Sequence, residues 1–591
     1  MQFATTDLVV FAGYIIAMMG FGVWIANRDK ATTSQDYFLA SKALPWWAVG
    51  GSLIASNIST EQIMGMNGSG FEIGMAIASY ELMAAITLII VAKFFLPVFL
   101  KEGISTMPQF LERRYNKSVR SIMSVFWVAL FVFVNITSVL YLGGLAIESL
   151  LGINLIWGII GLVLYSASFS IFGGLKAVVW TDVIQVIVLV LGGTLASYFV
   201  VSAVGDGSFF SGVSTLFEKT PERFNMIFSP TDTYTEQLTG ETKSSYSLLP
   251  GFAVLFGGMW IANIYYWGNN QYIIQRALAA KSLGEAQRGV AFAAFIKIFM
   301  PIIVVLPGIA AFILNADIEK ADEAFPWVLN NYVSTGFKGL TFAALVAAIG
   351  SSISSMVNSA STIFTLDIYK EHVNKDASEK QLVQVGKIAA TVALLIGALL
   401  GPLLGNLGQV IQFIQEYTGF ISPGVVVVFI FGMFWKRATP NAGLTVVLAS
   451  IPLSIAFKAL YPDLPFVDRI AITFLICVFL LIGISLYEIK TQKQAVNDSR
   501  FRWGVIAAIV GIGLATGVRI LFEDIPNVGN GTGYLVIALS VAAIGLVLGE
   551  KKGDHERALD IDNKLFQTDG LFNLSAIAIT LILVVIYATL G

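Results

Sequence analysis

The sequence predicts an all-α integral membrane protein with about sixteen transmembrane helices. Of its 591 residues, 56% are hydrophobic and only 13% are charged, whereas an ordinary soluble domain has about 25% charged residues. Many apolar runs exceed the roughly 18 residues that mark a membrane-spanning helix. These runs are continuous rather than alternating, which excludes an outer-membrane barrel.

Hydropathy and the polar connectors between apolar runs place the spans. They lie near residues 8–26, 46–70, 74–100, 119–148, 153–173, 177–204, 250–276, 289–315, 338–366, 386–404, 408–434, 441–460, 470–487, 503–522, 532–549 and 570–590. The first span lacks a basic leader and is as long as the others, so we expect it to be retained rather than cleaved.

The charges of the connectors predict the orientation of the chain. Odd-numbered connectors are basic, whereas even-numbered ones carry few basic residues or are acidic; connector 205–249 has six Asp and Glu against three Lys and Arg. Lys and Arg remain on the cytoplasmic side of a membrane. Both termini are therefore predicted to lie outside the cytoplasm, in a plasma (bacterial inner) membrane.

The second and seventh spans are interrupted by residues that weaken a helix. The second has glycines at positions 65, 68 and 70 behind a polar patch, and the seventh has the residues GNN at 268–270. The two are five spans apart, and an odd repeat length inverts the second copy in the membrane, as in inverted-repeat transporters. The alternative is that the glycines serve close helix packing.

An inverted repeat predicts five parts along the chain. These are a leading helix with the first cytoplasmic loop (1–45), a first repeat (46–204), an extracellular loop (205–249), a second repeat (250–434) and C-terminal helices with an extra pair (435–591).

Lys297 lies near the middle of a span, where a charge costs roughly 2.5 to 3.5 kcal/mol on insertion scales. It is too deep to snorkel easily, so acceptors are expected nearby. The other polar residues of the spans include Gln62, Glu81, Asn263 and Gln415. Amides, carboxylates and an ammonium together suit the hydroxyl groups of a polyol, and Tyr266 with its aromatic neighbours suits the apolar face of a sugar.

Each of these features has a structural alternative. Polar side chains can bridge helices, which is the interpretation we favour for Asn135 and Gln412, and aromatic residues can simply fill the core. Nothing in the composition suggests a nucleic-acid partner. Glu61 and Glu81 could be imagined as a catalytic pair, but no nucleophile or metal cluster accompanies them in the sequence, so we predict that the chain is not an enzyme.

The ninth span holds a candidate cation site. Ser351 and Ser352 follow Ala348 by three and four residues, so two hydroxyl groups and a backbone carbonyl meet within one helical turn. Small hard cations prefer such oxygen ligands, and carbonyls of Ala55 and Ile58 could complete the site if the second span loosens there. The alternative is that small residues allow helices to approach closely.

Five stretches resemble the sodium/solute symporter family. They read SNISTEQIMGMNGSGFEIGMAIASYE, FGGLKAVVWTDVIQV, NIYYWGNNQYIIQRALAAKS, SSISSMVNSASTIFTLDIYKE and QFIQEYTGFISPG. The resemblance implies a five-plus-five inverted-repeat (LeuT-like) core with two discontinuous helices. Three features depart from the sugar-carrying members: Ala84 stands where they have a serine, Ile411 stands where the outer gate has an aromatic residue, and the extra spans 503–522 and 532–549 precede the last helix.

The resemblance also implies roles for residues at matching positions. The sugar contacts would be Gln62, Glu81, Asn263, Lys297 and Gln415, with Tyr266 stacking on the ring as the inner gate. Sodium would lie among Ala55, Ile58, Ala348, Ser351 and Ser352. Asp182 would stand on the sodium exit route, and Met66 and Tyr80 would belong to the outer gate.

These features predict a secondary active transporter that couples inward sodium flux to uptake of a neutral hexose, galactose or glucose, by alternating access. Sodium is the implied ion, and a small sugar and the lipid bilayer are the implied partners. The same fold could instead carry inositol, sialic acid, proline or pantothenate, or form a sugar-gated sodium conductance. The oligomeric state is not predicted.

Overall fold

A computed structural model describes residues 3–29, 31–406, 410–462, 464–491 and 554–591. Their side chains are described except at 252–253, 406, 410–416 and 489–491. The predicted spans 503–522 and 532–549 lie outside the described residues.

The first half of the chain contains twelve α-helices. They are α1 (Thr5–Arg28), α2 (Ser34–Leu39), α3 (Trp46–Asn57), α4 (Met66–Ile73), α5 (Ser79–Ile90), α6 (Leu96–Lys101), α7 (Met107–Arg114), α8 (Lys117–Ala129), α9 (Thr137–Leu151), α10 (Leu155–Val204), α11 (Phe209–Lys219) and α12 (Ser245–Leu248). A small hairpin precedes α12, in which β1 (Thr233–Thr235) pairs antiparallel with β2 (Thr242–Ser244).

Twelve further α-helices follow in the described part of the second half. They are α13 (Gly251–Phe256), α14 (Gly258–Ile264), α15 (Gln271–Leu278), α16 (Leu283–Val304), α17 (Leu306–Ile313), α18 (Ala324–Asn331), α19 (Phe337–Ile363), α20 (Glu379–Leu400), α21 (Val410–Phe434), α22 (Pro440–Leu460), α23 (Phe466–Thr491) and α24 (Gly570–Leu590).

Within the described residues, five π-helical segments adjoin these α-helices. They are Glu61–Gly65, Val91–Phe95, Leu130–Ile136, Tyr265–Asn269 and Phe364–Val373. Short 3₁₀ turns occupy Ala40–Lys42, Gly74–Ala78, Pro221–Phe224, Ala321–Glu323, Gly401–Asn406 and Asn563–Phe566.

The helices have the length and composition of membrane spans. In the described part of the chain, eleven helical stretches are long and apolar enough to cross a bilayer. Large apolar side chains such as Leu164, Phe172 and Leu399 are exposed on the outside, as expected for a surface that contacts lipid. The prediction of a mostly helical membrane protein is confirmed.

Helix α10 is a pair of antiparallel helices joined at Gly174. This glycine has a φ of 56° and a ψ of −157°, and the turn falls between the predicted spans 153–173 and 177–204. Gln185 donates a hydrogen bond of 2.8 Å to the Tyr165 hydroxyl, 20 residues away in sequence, a separation of about 30 Å in a straight helix. A Cβ atom at Gly174 would lie 2.3 Å from the carbonyl oxygen of Tyr37, so only glycine fits.

The second predicted span is interrupted, although not at its glycines. Helix α3 ends at Asn57, Ile58 is extended (φ −80°, ψ 109°), and helical structure resumes at Thr60. The chain then stays helical through glycines 65, 68 and 70, so the expectation that these glycines mark the break is wrong.

The glycines instead allow close contact between helices, which was the alternative. A Cβ atom at Gly70 would lie 2.6 Å from the carbonyl oxygen of Val305, and one at Gly68 would lie 2.8 Å from the carbonyl carbon of Ala321. Any larger side chain at these two positions would push the neighbouring backbone away.

The seventh span breaks where its sequence predicts. Helix α14 passes into the π-helical segment Tyr265–Asn269, Asn270 is extended (φ −88°, ψ 124°), and α15 begins at the next residue. Two helices are therefore discontinuous, and both breaks are surrounded by protein.

Both terminal segments of the described chain contact connectors between helices. Near the start, the Asp7 carboxylate accepts the backbone N–H of Gly336 at 2.7 Å, in the connector before α19. At the end, the Leu590 carbonyl accepts the backbone N–H of Met226 at 2.7 Å, in the connector 205–249. These are two of the connectors whose charges predict that they face outside.

Candidate functional site

A cavity of about 170 Å³ lies between the breaks of the two discontinuous helices. It is lined by residues of α3 to α5, α14, α21 and α23 together with both π-helical segments at the breaks. We call it the central cavity. Its polar and aromatic lining includes Asn57, Glu61, Gln62, Tyr80, Glu81, Asn263, Tyr266 and Trp267. A single buried water needs about 10 to 15 Å³, so there is room for a small solute.

Lys297 is fully buried behind this lining. Its ammonium group donates hydrogen bonds to the Asn57 amide oxygen and, at 2.5 Å, to a carboxylate oxygen of Glu81. The nitrogen also lies 5.1 Å from the centre of the Trp267 ring, within range of a cation–π contact. The acceptors that the depth of Lys297 requires therefore come from α3 and α5.

Two further predicted contact residues line the cavity and bond to their own chain segments. The Gln62 amide oxygen accepts hydrogen bonds from the backbone N–H of Ser59 at 3.0 Å and from its hydroxyl at 2.9 Å. The Asn263 amide nitrogen donates to the Met259 carbonyl at 3.0 Å. The side chain of Gln415, on α21, lies outside the described side chains.

Tyr266 lines the cavity from the π-helical segment of the seventh span. Its hydroxyl accepts hydrogen bonds from the Asn57 amide nitrogen at 3.0 Å and from the Tyr272 hydroxyl at 2.6 Å. The lining also includes Glu72 and Asp322. Met66 and Tyr80, the described residues predicted for the outer gate, both line the cavity.

The oxygen atoms of the candidate cation site come from the break in the second span and from α19. The Ser352 hydroxyl lies 3.1 Å from the Ser56 carbonyl oxygen and 3.4 Å from that of Ile58. Ala55 lies in the last turn of α3, and Ala348 lies one turn before Ser352. In the described part of the chain, no group of three or more His, Cys, Asp or Glu could hold a metal ion.

Asp182 connects the candidate cation site to the helices around it. It is fully buried, and its carboxylate accepts hydrogen bonds from the Ser351 hydroxyl at 2.6 Å and the Ser52 hydroxyl at 2.5 Å. A guanidinium nitrogen of Arg276 lies 3.8 Å from the same carboxylate. In this conformation Ser351 therefore contacts the acid rather than the carbonyls near Ser352.

The Sodium:solute symporter family model matches residues 37–449. The chain belongs to this family. The symporter is 50% identical over 513 residues to the sodium/glucose cotransporter of Vibrio parahaemolyticus, covering 83% of this chain and 91% of the relative. It is 32% identical to the mouse sodium/myo-inositol cotransporter 2, covering 76% of this chain and 69% of the relative.

A solved structure is also similar to this symporter. It is the substrate-bound, outward-open state of a Na⁺-coupled sialic acid symporter, with a TM-score of 0.70 and 26% identity, covering 82% of this chain and 98% of that one. The matched family and relatives are transporters, so the coarse prediction of a multi-pass membrane transporter is confirmed.

The sequence did not single out Asn57 and Arg276, which contact the predicted site residues Lys297 and Asp182. Asn57 was overlooked because an amide at a helix end resembles a cap. Arg276 was overlooked because a basic residue near the cytoplasmic end of a span resembles an orientation signal. A buried carboxylate such as Asp182 requires a cationic or hydrogen-bonding partner, and that requirement was the available signal for Arg276.

Proposed function

We propose that this symporter couples inward sodium flux to uptake of a neutral hexose, galactose or glucose, by alternating access. The observation that carries the proposal is the central cavity, where amide, carboxylate and aromatic side chains meet between two helix breaks. The names of the Vibrio and mouse relatives, which specify glucose and myo-inositol, support a polyol as the solute.

The side chains of the cavity have complementary roles in this proposal. The polar contacts to the sugar are Gln62, Glu81, Asn263, Lys297 and Gln415. Tyr266 stacks on the ring and forms the inner gate, a role supported by its place in the cavity lining and by the two hydrogen bonds that hold its hydroxyl. Met66 and Tyr80 contribute to the outer gate.

Sodium binds between the second and ninth predicted spans in the proposal. Its ligands are the carbonyls of Ala55, Ile58 and Ala348 and the hydroxyls of Ser351 and Ser352, and Asp182 lies on its exit route. The proximity of Ser352 to the Ile58 carbonyl supports this arrangement. The oxygens of a hard-cation site suit sodium, and no other ion or cofactor is proposed.

The membrane potential supplies part of the driving force. One sodium ion that crosses about 100 mV gains about 2.3 kcal/mol. Because each 1.4 kcal/mol is a factor of ten, this alone supports roughly fifty-fold sugar accumulation. Sodium occupancy would hold the outward-open arrangement, and closure around both sodium and sugar would then permit opening inward past Tyr266.

We also propose the number of spans, the internal repeat and the orientation of the chain. It comprises about sixteen spans with a five-plus-five inverted repeat over 46–204 and 250–434, both termini outside, and a plasma or bacterial inner membrane. The two discontinuous helices at corresponding positions support the repeat. The protein acts as a transporter and not as an enzyme.

A second candidate solute is myo-inositol, which the mouse relative's name favours. Ala84, which lines the cavity, replaces a serine contact and so weakens the argument for galactose in particular. Myo-inositol is also a neutral polyol and suits the same polar groups.

The test uses purified protein in sealed liposomes. Uptake of labelled galactose, glucose and myo-inositol is measured with an inward sodium gradient and with potassium in its place. Accumulation of a hexose with sodium only is the expected result. Accumulation that ignores sodium would overturn the ion site, and sodium-driven uptake of myo-inositol but neither hexose would change the solute.

A further inference from the structure

The central cavity has a carboxylate, that of Glu61, which the roles above leave unused. Glu61 lines the cavity and opens the π-helical segment Glu61–Gly65. Its Oε1 atom is buried and has no hydrogen-bond partner. Lys297 pairs with Glu81, and nowhere in the described chain does a Lys or Arg side chain form an ion pair with Glu61.

The neighbouring polar groups are already engaged with one another. Both polar atoms of the Asn57 amide are bonded, one to Lys297 and one to Tyr266. The Gln62 oxygen is bonded to Ser59, and one oxygen of Glu81 is bonded to Lys297. Glu61 therefore presents an acceptor that the protein itself does not satisfy.

Such an acceptor is costly unless a donor reaches it. A buried polar group without a hydrogen bond is destabilising, and a charged one more so. The Oε1 atom of Glu61 is such an acceptor, at the start of the helical structure that resumes at Thr60. The residue thus offers an unsatisfied acceptor to whatever occupies the cavity.

The charges of the lining indicate what the occupant is. Four carboxylates line the cavity, those of Glu61, Glu72, Glu81 and Asp322. Among the lining residues that the structure describes, none is basic, and the Lys297 ammonium behind them pairs with Glu81, which leaves the other three carboxylates without a cation in the lining. An acidic lining of this kind disfavours an anion and suits a solute that donates hydrogen bonds.

We propose that Glu61 accepts a hydrogen bond from one hydroxyl group of the transported sugar, as a direct solute contact in addition to those named above. The inference rests on the proposed function, because it takes a sugar as the solute. It makes Glu61 a residue that determines specificity among sugars that differ in a single hydroxyl group.

The test compares galactose with its 2-, 3-, 4- and 6-deoxy analogues in sodium-driven uptake by liposomes. The proteins are wild type, Glu61→Gln, which nearly keeps the shape, Glu61→Ala, and the control Glu148→Gln. Glu148 bonds the backbone N–H of Leu155 at the start of α10, away from the cavity. Melting of each purified protein verifies folding.

Loss of a hydrogen bond to a buried acceptor changes affinity by about tenfold. We expect Glu61→Ala to raise the KM for galactose by at least that factor, and Glu61→Gln to raise it by less. One deoxy analogue lacks the hydroxyl group that bonds Glu61. For that analogue, Glu61→Ala and Glu61→Gln should each raise the KM by about twofold or less. Glu148→Gln should leave every KM within about twofold.

Three results would overturn the proposal. The first is an unchanged galactose KM in Glu61→Ala. The second is an equal rise for all five sugars, which indicates a structural effect. The third is a changed sodium dependence with an unchanged sugar KM, which would make Glu61 an ion ligand. Failure of the proposed function is distinguishable, because it appears in wild type as a lack of sodium-driven galactose uptake.

Discussion

The buried pair of Lys297 and Glu81 makes a specific prediction about stability and transport. Lys297→Met leaves the Glu81 carboxylate without its cation, and Glu81→Gln leaves the ammonium without its anion. Removal of one member of a buried ion pair typically costs about 3 to 5 kcal/mol, whereas replacement of both by neutral groups is often nearly neutral. Lys297→Met also removes the hydrogen bond to Asn57, so we expect it to cost more stability than Glu81→Gln.

The measurement is a thermal melt of the detergent-purified protein, followed by size-exclusion chromatography. Each single variant should melt about 2 to 4 °C below wild type, because a chain of this length shifts by only about 0.8 °C per kcal/mol. The double variant should recover most of this loss. Sodium-driven sugar uptake should be absent from Lys297→Met and from the double variant, because the polar contacts to the sugar are gone.

The double variant separates the ion pair from mere packing. Losses that simply add in the double variant would show that the two side chains do not interact. Single variants with the melting temperature of wild type would refute the stabilising role of the ion pair. Wild-type uptake by Lys297→Met would refute the role of Lys297 in the site.

Four further predictions follow from the same structure. Ser352→Ala should abolish the sodium dependence of uptake, whereas Ser354→Ala, whose hydroxyl donates to a carbonyl of its own helix at 2.7 Å, should not; equal behaviour of the two would contradict the ion site. Tyr266→Phe loses the hydroxyl that accepts two hydrogen bonds, so counterflow and sugar leak from loaded liposomes should increase, and an unchanged leak would argue against the inner gate. Gly174→Ala should lower the melting temperature by several degrees because of its positive φ and close backbone contact, while Gly161→Ala, with open space at its Cβ position, should not; similar melting of both would be inconsistent with the tight turn. Galacturonate should compete with galactose at least about tenfold less well, because the lining is acidic, and equal competition would refute that electrostatic argument.

The sequence predicted which side chains carry the chemistry of the site better than it predicted which residues those side chains contact. A lysine in mid-span requires acceptors whatever the fold, so Lys297 could be singled out. Its partner Asn57 is 240 residues away in sequence, and a contact of that kind depends on helix packing that periodicity does not reveal. Arg276 and Asp182 meet for the same reason, across separate helices.

The breaks of the helices show a similar limit. Asn270 could be located because asparagine and glycine together weaken a helix in mid-span. The break at Ile58 could not be located from residue type, since isoleucine is common in both helices and extended segments. Glycine is ambiguous because it permits both a break and a close approach, and at positions 68 and 70 the approach is what the structure uses.

The π-helical segments have a consequence for how this chain tolerates changes in length. A π-helical turn closes its hydrogen bonds over five residues instead of four, so it accommodates one residue more than an α-helical turn. Loss of one residue there can restore the α-helical pattern without rotating the flanking helix. At Val91–Phe95, which is separate from both helix breaks, a single deletion would be absorbed locally. The same deletion within the straight part of α16 would turn every later side chain by about 100°, including Lys297.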